Sequence, residues 1–410
     1  MMEKVMGRKK KPPIEEKDLQ GFKYLRGFFK TLKRFHNVKD HQNREFCYDQ
    51  YLSLVLFYFF NPVLTSLRGI QQATTLKKVQ EFLGVKKTGL STLSEASYVF
   101  DANLILPLLK ELAQKACPIE KDPKLKNIEQ MLTAVDGTLL PALPKMLWAL
   151  WLDEEHRAAK LHLEFDIQGY TPINATITDG NGNEKNALRG FLSPDKLYTL
   201  DAGYAEYKLF NEIKQAASSF VVRLRDNAVW DTIEERSLAQ DDKDAGVTRD
   251  IVARLGSKSK KDDCPFPVRI IEIFHEGNES VRRKTRISSK KTFRTKGTDY
   301  TMLLVTDRMD LSAEIIALVY RYRWQIELFF RWFKCILGCT NLLALSQNGL
   351  AIQVYCALIA SMLVTLWTGR KPTKRTFEML NFYFMGWADD EEITDHIEKL
   401  KEINEINDQV

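Results

Sequence analysis

The sequence predicts a mixed α+β fold. A helical amino-terminal domain precedes a mixed five-stranded sheet flanked by helices, and a β-rich insertion interrupts that core before its last helices. Three observations predict it. Residues 21–118 carry short helical runs separated by tight breaks. Between Met131 and Leu224, strand-length and helix-length patterns follow in the order strand, strand, strand, helix, strand, helix, strand. About a hundred further residues with strand patterns of their own then precede an aromatic-rich helical stretch beginning at Tyr320.

Taken in order, residues 1–20 are Lys-rich and Pro-containing (GRKKKPP), the composition of a disordered basic tail. Phe22 to Phe35 mixes aromatics with Lys and Arg as a short basic helix, and Tyr48 to Phe60 is a buried helix stopped by Asn61-Pro62. Ser66 to Ala73 and Leu76 to Leu83 form two more, broken by Gly84 and Gly89. Thr92 with Glu95 three residues on predicts a capping box for a helix through Tyr98 and Phe100. Basic flanks and tight turns make 21–118 a candidate helical DNA-binding domain, with a plain helical bundle as the alternative.

The mixed-charge run Ile119 to Asn127 is a linker, and 128–226 opens the core. Met131 to Val135 is a strand that hands over to Asp136-Gly137-Thr138. Ala159 to Ile167 and Pro172 to Thr178 follow as strands, Glu184 to Phe191 as a helix, and Lys196 to Leu200 as a strand ending in Asp201-Ala202-Gly203-Tyr204. Glu206 to Ala217 is helical and Phe220 to Leu224 is the fifth strand. This order is ribonuclease-H-like, with both aspartates at strand ends. A simple turn is the alternative for Asp136. Residues 227–306 carry strands at Val247–Leu255, Val268–His275 and Tyr300–Thr306 around basic loops such as RRKTRISSKK. Residues 307–386 return to helices, and 387–410 form an acidic tail.

Composition bounds the function. The chain has 410 residues, 44% hydrophobic and 28% charged, an ordinary globular balance. The net charge of +6 is unevenly spread. Met1 to Glu45 has 13 Lys and Arg against 6 Asp and Glu, and Arg254 to Thr298 has 13 against 5, whereas Asp389 to Asp408 has 2 against 9. Two basic patches suit a polyanion partner. Six scattered cysteines without a Cys-x-x-Cys pair exclude a zinc ribbon and a disulfide framework and fit a reducing cytoplasm. Met1 opens a polar run with no signal-peptide core. Leu350 to Trp367 is long and apolar enough for a membrane span, but Gln353, Ser361 and Thr365 interrupt it, and a buried core helix is expected.

The stretch Tyr320 to Lys334 (YRYRWQIELFFRWFK) carries the chemistry. At ~100° per residue, Tyr320, Arg323, Glu327 and Lys334 fall within a wedge of roughly 60°, with Arg331 at its edge. Most of the remaining surface is aromatic or aliphatic. A carboxylate in such a setting is costly unless it is paired or holds a metal. An ordinary helix whose Glu327 pairs with Arg323 or Arg331, each four residues away, satisfies the same spacing.

Tyr320, Arg323, Glu327 and Lys334 match all four letters of Tyr-x-x-Arg-x-x-x-Glu-x-x-x-x-x-x-Lys. On that pattern the chain resembles the bacterial insertion-sequence transposases of the insertion-sequence-four family. SLRGIQQA and STLSEAS also resemble that family's amino-terminal region, and the segment before Tyr320 resembles its β-rich insertion. The family's D-G-[ST] and D-x-G-Y contexts carry over onto Asp136 and Asp201. The resemblance implies a catalytic Asp136, Asp201 and Glu327 triad that also binds metal. It implies DNA contacts from Tyr320, Arg323, Lys334 and the neighbouring Arg331, and from Lys160 and His162 of a similar Lys-x-His. Glu184 matches no family position. Trp230 is a candidate for stacking on an unpaired base, with a core aromatic as the equal alternative.

Three carboxylates can hold two divalent ions about 4 Å apart for phosphoryl transfer, and their oxygens favour Mg²⁺, with Mn²⁺ substituting. The resemblance implies a cytoplasmic, nucleoid-associated DNA transposase. It would act as a homodimer on double-stranded element ends and target DNA, without a membrane. A transposase-derived DNA-binding protein without catalysis is the alternative from another class. A two-carboxylate glycosidase gives no reason for the basic patches or for Lys334.

Overall fold

The computed structural model describes residues 28–407 except 39–40, 62–63, 117–121, 154–155, 258–260, 277–298, 338–341, 372 and 385–386. The expected tail at 1–20, the start of the first basic helix and the RRKTRISSKK loop lie outside the described residues.

The amino-terminal part is helical: α1 Tyr48–Phe59, α2 Leu67–Ala73, α3 Lys77–Leu83, α4 Leu90–Val99 and α5 Leu106–Ala113. Ser66 caps α2, its Oγ accepting the Gly69 N–H at 3.2 Å. Gly84 ends α3 at φ 66°, a left-handed conformation open to glycine at no steric cost. The capping box expected at Thr92 does not form. α4 starts three residues earlier, capped at Gly89, and places Thr92 inside the helix. α5 is an element that the sequence patterns do not announce.

The core strands are β1 Met131–Pro141, β2 Ala158–Asp166, β3 Thr171–Asp179, β4 Lys196–Leu200 and β5 Ser219–Arg223, with α6 Glu184–Phe191 before β4 and α7 Tyr207–Gln215 before β5. β1 pairs antiparallel with β2, and β2 with β3, while β1, β4 and β5 run parallel. The spatial order β3-β2-β1-β4-β5 is the expected ribonuclease-H-like sheet.

The insertion adds β6 Trp230–Glu235, the short α8 Gln240–Asp244, β7 Val247–Leu255, β8 Val268–His275 and β9 Tyr300–Thr306. These strands extend the core sheet: β9 pairs antiparallel with β5, giving nine strands in the order β3-β2-β1-β4-β5-β9-β8-β7-β6. β6 escaped sequence reading because five of its six residues are exposed, leaving no alternation to detect.

Five helices close the chain: α9 Ala313–Tyr322, α10 Trp324–Leu337, α11 Gln347–Thr368, α12 Lys374–Phe384 and α13 Asp390–Asn407. The expected acidic tail is thus helical over most of its length and packs on α12. The apolar window of α11 is long enough to cross a membrane, yet 94% of it is buried inside the fold, as expected of a core helix. α11 touches β3, α1, α4, α5 and α10. Tyr355 donates to the Ala175 carbonyl of β3 at 3.2 Å, and Asn348 donates to the Phe100 carbonyl at 2.7 Å. Helices 48–113 therefore share one hydrophobic cluster with the core sheet.

The insertion also fixes α9. Asp242 of α8 is buried, and its carboxylate accepts the Glu314 N–H at 2.8 Å and the Ala239 N–H at 3.0 Å. It satisfies an otherwise orphaned donor in the first turn of α9. Asp242→Ala is expected to lower stability by about 1 kcal/mol, read as a lower midpoint in urea unfolding.

Candidate active site

Asp136 and Asp201 are placed by the way β1 and β4 part. β1 pairs with β4 from Met131 to Ala134 only, while it continues against β2 to Pro141. Asp136 therefore lies inside a long strand rather than at its exit, but two residues past the end of the parallel pairing. Asp201 directly follows β4 and opens a single 3₁₀ turn, Ala202–Tyr204. Both carboxylates stand just past the end of the β1–β4 parallel pairing, where the two strands part, the kind of place where open α/β sheets form their crevices.

The expected single helix over Tyr320 to Lys334 is broken. α9 ends at Tyr322 and α10 begins at Trp324. At the joint, Arg323 N–H bonds the Tyr320 carbonyl at 3.0 Å and the Arg323 carbonyl accepts Ile326 N–H at 3.2 Å. These i→i+3 bonds tighten the chain into a 3₁₀-like turn. Tyr320 thus belongs to one helix and Glu327 with Lys334 to the next. Arg323 bridges the joint, its Nη2 donating to Glu327 Oε1 at 2.8 Å and its guanidinium lying 5.6 Å from the centre of the Tyr320 ring.

The electrostatics join these groups into one site. Burial pushes the Asp136 carboxyl up to about 6; the Gly137 N–H and Arg323 oppose this, while Glu184 and Glu327 add to it. Asp201 acts on Tyr320 and Arg323. The Tyr204 hydroxyl is raised by burial first, then by Asp136, Glu184 and Asp201. It has no hydrogen-bond partner among the described residues, and neither does Arg323 Nε. Asp136, Asp201 and Glu327 are therefore within electrostatic reach of one cluster of groups.

The other predicted residues fall differently. Lys160 Nζ lies 2.7 Å from Glu184 Oε1. His162 is fully buried, its Nε2 2.9 Å from Thr178 Oγ1, and burial followed by Lys160 pushes it down to about 4. It is a neutral link between β2 and β3, and its burial removes the direct DNA contact expected of it. Arg331 is exposed, its guanidinium 5.5 Å from the centre of the Trp324 ring. Lys334 is half-buried on α10. Trp230 opens the edge strand β6 and packs half-buried against the second hydrophobic cluster, as the core alternative has it.

Sequence reasoning missed two residues here. Tyr204 stands in the D-x-G-Y context without an assigned role. Glu184 has no usable signal, because its nearness to Asp136 exists only once α6 packs on β1. Its acid joins the triad's three against the cations of Arg323 and Lys160, leaving excess negative charge. Hard oxygen donors in such excess fit Mg²⁺ or Mn²⁺. Elsewhere, ligand-type atoms of His36, Cys47 and Asp49 lie within 4.8 Å of one another. There Asp49 is already bound by Lys33 at 3.2 Å and His36 at 3.1 Å.

Residues 128–363 match the transposase DDE domain family. Over 238 residues the chain is 29% identical to y4zB of Sinorhizobium fredii, which carries a transposase designation; the match covers 58% of this chain and 60% of that protein. Over 301 residues it is 24% identical to a probable transposase for insertion sequence element IS5377 of Geobacillus stearothermophilus, covering 73% and 72%. Over 256 residues it is 26% identical to the transposase for insertion sequence element IS421 of Escherichia coli, covering 57% and 64%. The chain thus matches less than two thirds of two of these relatives. A piggyBac transposase synaptic complex with hairpin DNA aligns over 93% of this chain and 84% of its own at a TM-score of 0.38 and 10% identity.

Proposed function

The chain belongs to the transposase DDE domain family, and from that premise we propose that it is a DNA transposase. It binds the ends of its insertion sequence, cleaves DNA there and joins the 3′ ends to target DNA. The observation that supports this reading is that Glu327 of α10 acts on Asp136 of β1, while Asp201, after β4, acts on Arg323, which is bonded to Glu327.

In this reading Asp136, Asp201 and Glu327 would hold two Mg²⁺ ions, with Mn²⁺ able to substitute. When bound, the ions supply activation of water or a 3′-hydroxyl and charge neutralisation at the leaving oxygen of an in-line displacement. The protein's own groups do the rest. Arg323 holds Glu327 in place and brings a cation to the phosphate beside it. Lys334, seven residues along α10 from Glu327, contacts a neighbouring phosphate and fixes register. Tyr320, packed against Arg323, keeps the joint between α9 and α10 closed. The protein works as a homodimer on double-stranded DNA of the nucleoid, in the cytoplasm.

The test is single-turnover cleavage of a labelled element end, with Mg²⁺ or with chelator, by the full chain and by Asp201→Asn. Metal-dependent nicking by the wild type and its loss in Asp201→Asn are expected, with end binding kept. Nicking by Asp201→Asn at the wild-type rate would overturn the reading. End binding without metal-dependent nicking would instead favour a DNA-binding protein derived from a transposase. In the same assay Lys334→Ala is expected to lose a charge-assisted phosphate contact, about 1.5–3 kcal/mol or ten- to a hundredfold in rate. Its melting temperature should stay close to that of the wild type.

A further inference from the structure

We propose that Glu184 is a fourth acidic donor of the divalent-ion site, oriented by Lys160; the proposal rests on the triad reading above. Glu184 opens α6, whose amino terminus Asn183 caps by accepting the Lys185 and Asn186 N–H groups at 2.9 and 3.2 Å. The cap holds the start of the helix, which packs on β1, β2 and the 3₁₀ turn that follows Asp201. The Glu184 carboxylate reaches between the two aspartate-bearing segments. Its Oε1 would be 3.1 Å from a Cβ on Gly137, next to Asp136, and its Oε2 would be 3.7 Å from a Cβ on Gly203, two residues past Asp201.

Two features make this a built position. Gly137 lies in extended strand, where any residue fits the backbone, so its use there is room: a side chain would press on Glu184 Oε1 and on Lys160 Cε at 3.2 Å. Lys160 clamps the same Oε1 at 2.7 Å, which fixes the rotamer and leaves Oε2 on the side of Gly203, in the segment that follows Asp201. A glutamate serving only Lys160 would not need to stand within reach of Asp136 and Tyr204, on both of which it acts. Placing a fourth carboxylate beside three others raises mutual repulsion, and a divalent cation relieves it.

The experiment is Mn²⁺ binding to the DNA-free full chain by titration calorimetry at neutral pH, beside the melting temperature of each variant. Glu184→Gln is expected to bind Mn²⁺ about ten- to a hundredfold more weakly while melting within a few degrees of the wild type. A purely structural glutamate would shift melting and leave affinity alone. If Asp201→Asn loses Mn²⁺ and Glu184→Gln binds it like the wild type, the proposal is overturned and the triad stands. If neither variant changes affinity, the triad reading falls and the proposal with it. Should Glu184→Gln fail to fold, Gly137→Ala decides: it displaces the carboxylate without changing any charge, and unchanged Mn²⁺ affinity there overturns the proposal.

Discussion

Asp136→Asn should abolish strand cleavage and, in the same protein, raise the melting temperature measured in chelator. Both effects come from one cause. Burial and two neighbouring acids push the Asp136 carboxyl from 3.8 up to about 6. Its folded value lies above its unfolded value, so the fold favours the protonated form. The resulting penalty is absent below about pH 4, grows as pH rises toward 6, and is full at neutral pH. A rise of that size corresponds to about 3 kcal/mol. Asparagine keeps the shape and removes the charge, so most of that penalty disappears and the protein melts a few degrees higher. The wild type should gain stability relative to Asp136→Asn as pH falls from 7 to 5. Cleavage is lost because an amide cannot replace a metal-binding carboxylate. A melting temperature in chelator that drops on Asp136→Asn would mean that the carboxylate serves the fold rather than the chemistry.

Arg269→Ala should be the most destabilising single change outside the apolar core. Arg269 is 1% exposed. Its Nη2 and Nε bond the Asp250 carboxylate at 2.6 and 3.2 Å, and its Nη1 donates to the carbonyls of Arg308 and Leu311. Removing it strands a buried carboxylate and two carbonyls, which costs about 3–5 kcal/mol. Leu311 lies two residues before α9, so the same change loosens the segment that delivers Tyr320 and Arg323 to the site. Cleavage should fall while binding of element ends persists. Replacing both partners, Arg269→Met with Asp250→Leu, should recover much of the stability, because no unpaired charge remains. Urea unfolding of the three proteins separates these outcomes. An Arg269→Ala protein as stable as the wild type would show that the insertion does not brace α9.

The sheet strands other than β6, and the triad-bearing segments, were legible in the sequence because their signals are local. Val247–Leu255, Val268–His275, Tyr300–Thr306 and Lys196–Leu200 have the predicted bounds, since alternation with buried apolar residues marks where a strand begins and ends. Asp136 and Asp201 were visible as acids following apolar runs, and Glu327 as an acid on an apolar helix. β6 was silent because an exposed edge strand has no buried face to alternate against.

Tertiary structure alone decided the rest. Whether the insertion stands apart or joins the core depends on β9 meeting β5 across some eighty residues of chain, and no local pattern encodes that pairing. The break at Arg323 came from bonds within one turn that a continuous apolar surface concealed. His162, which had looked available to DNA, lost its exposure to the packing of β2 against β3. Glu184 entered the site through the docking of α6 on β1. The sequence by itself determined most of the strands and helices and which acids follow apolar runs, because these follow from side-chain periodicity. Only the packed structure decided which charges face one another, because burial and charge proximity depend on contacts between segments far apart in the chain.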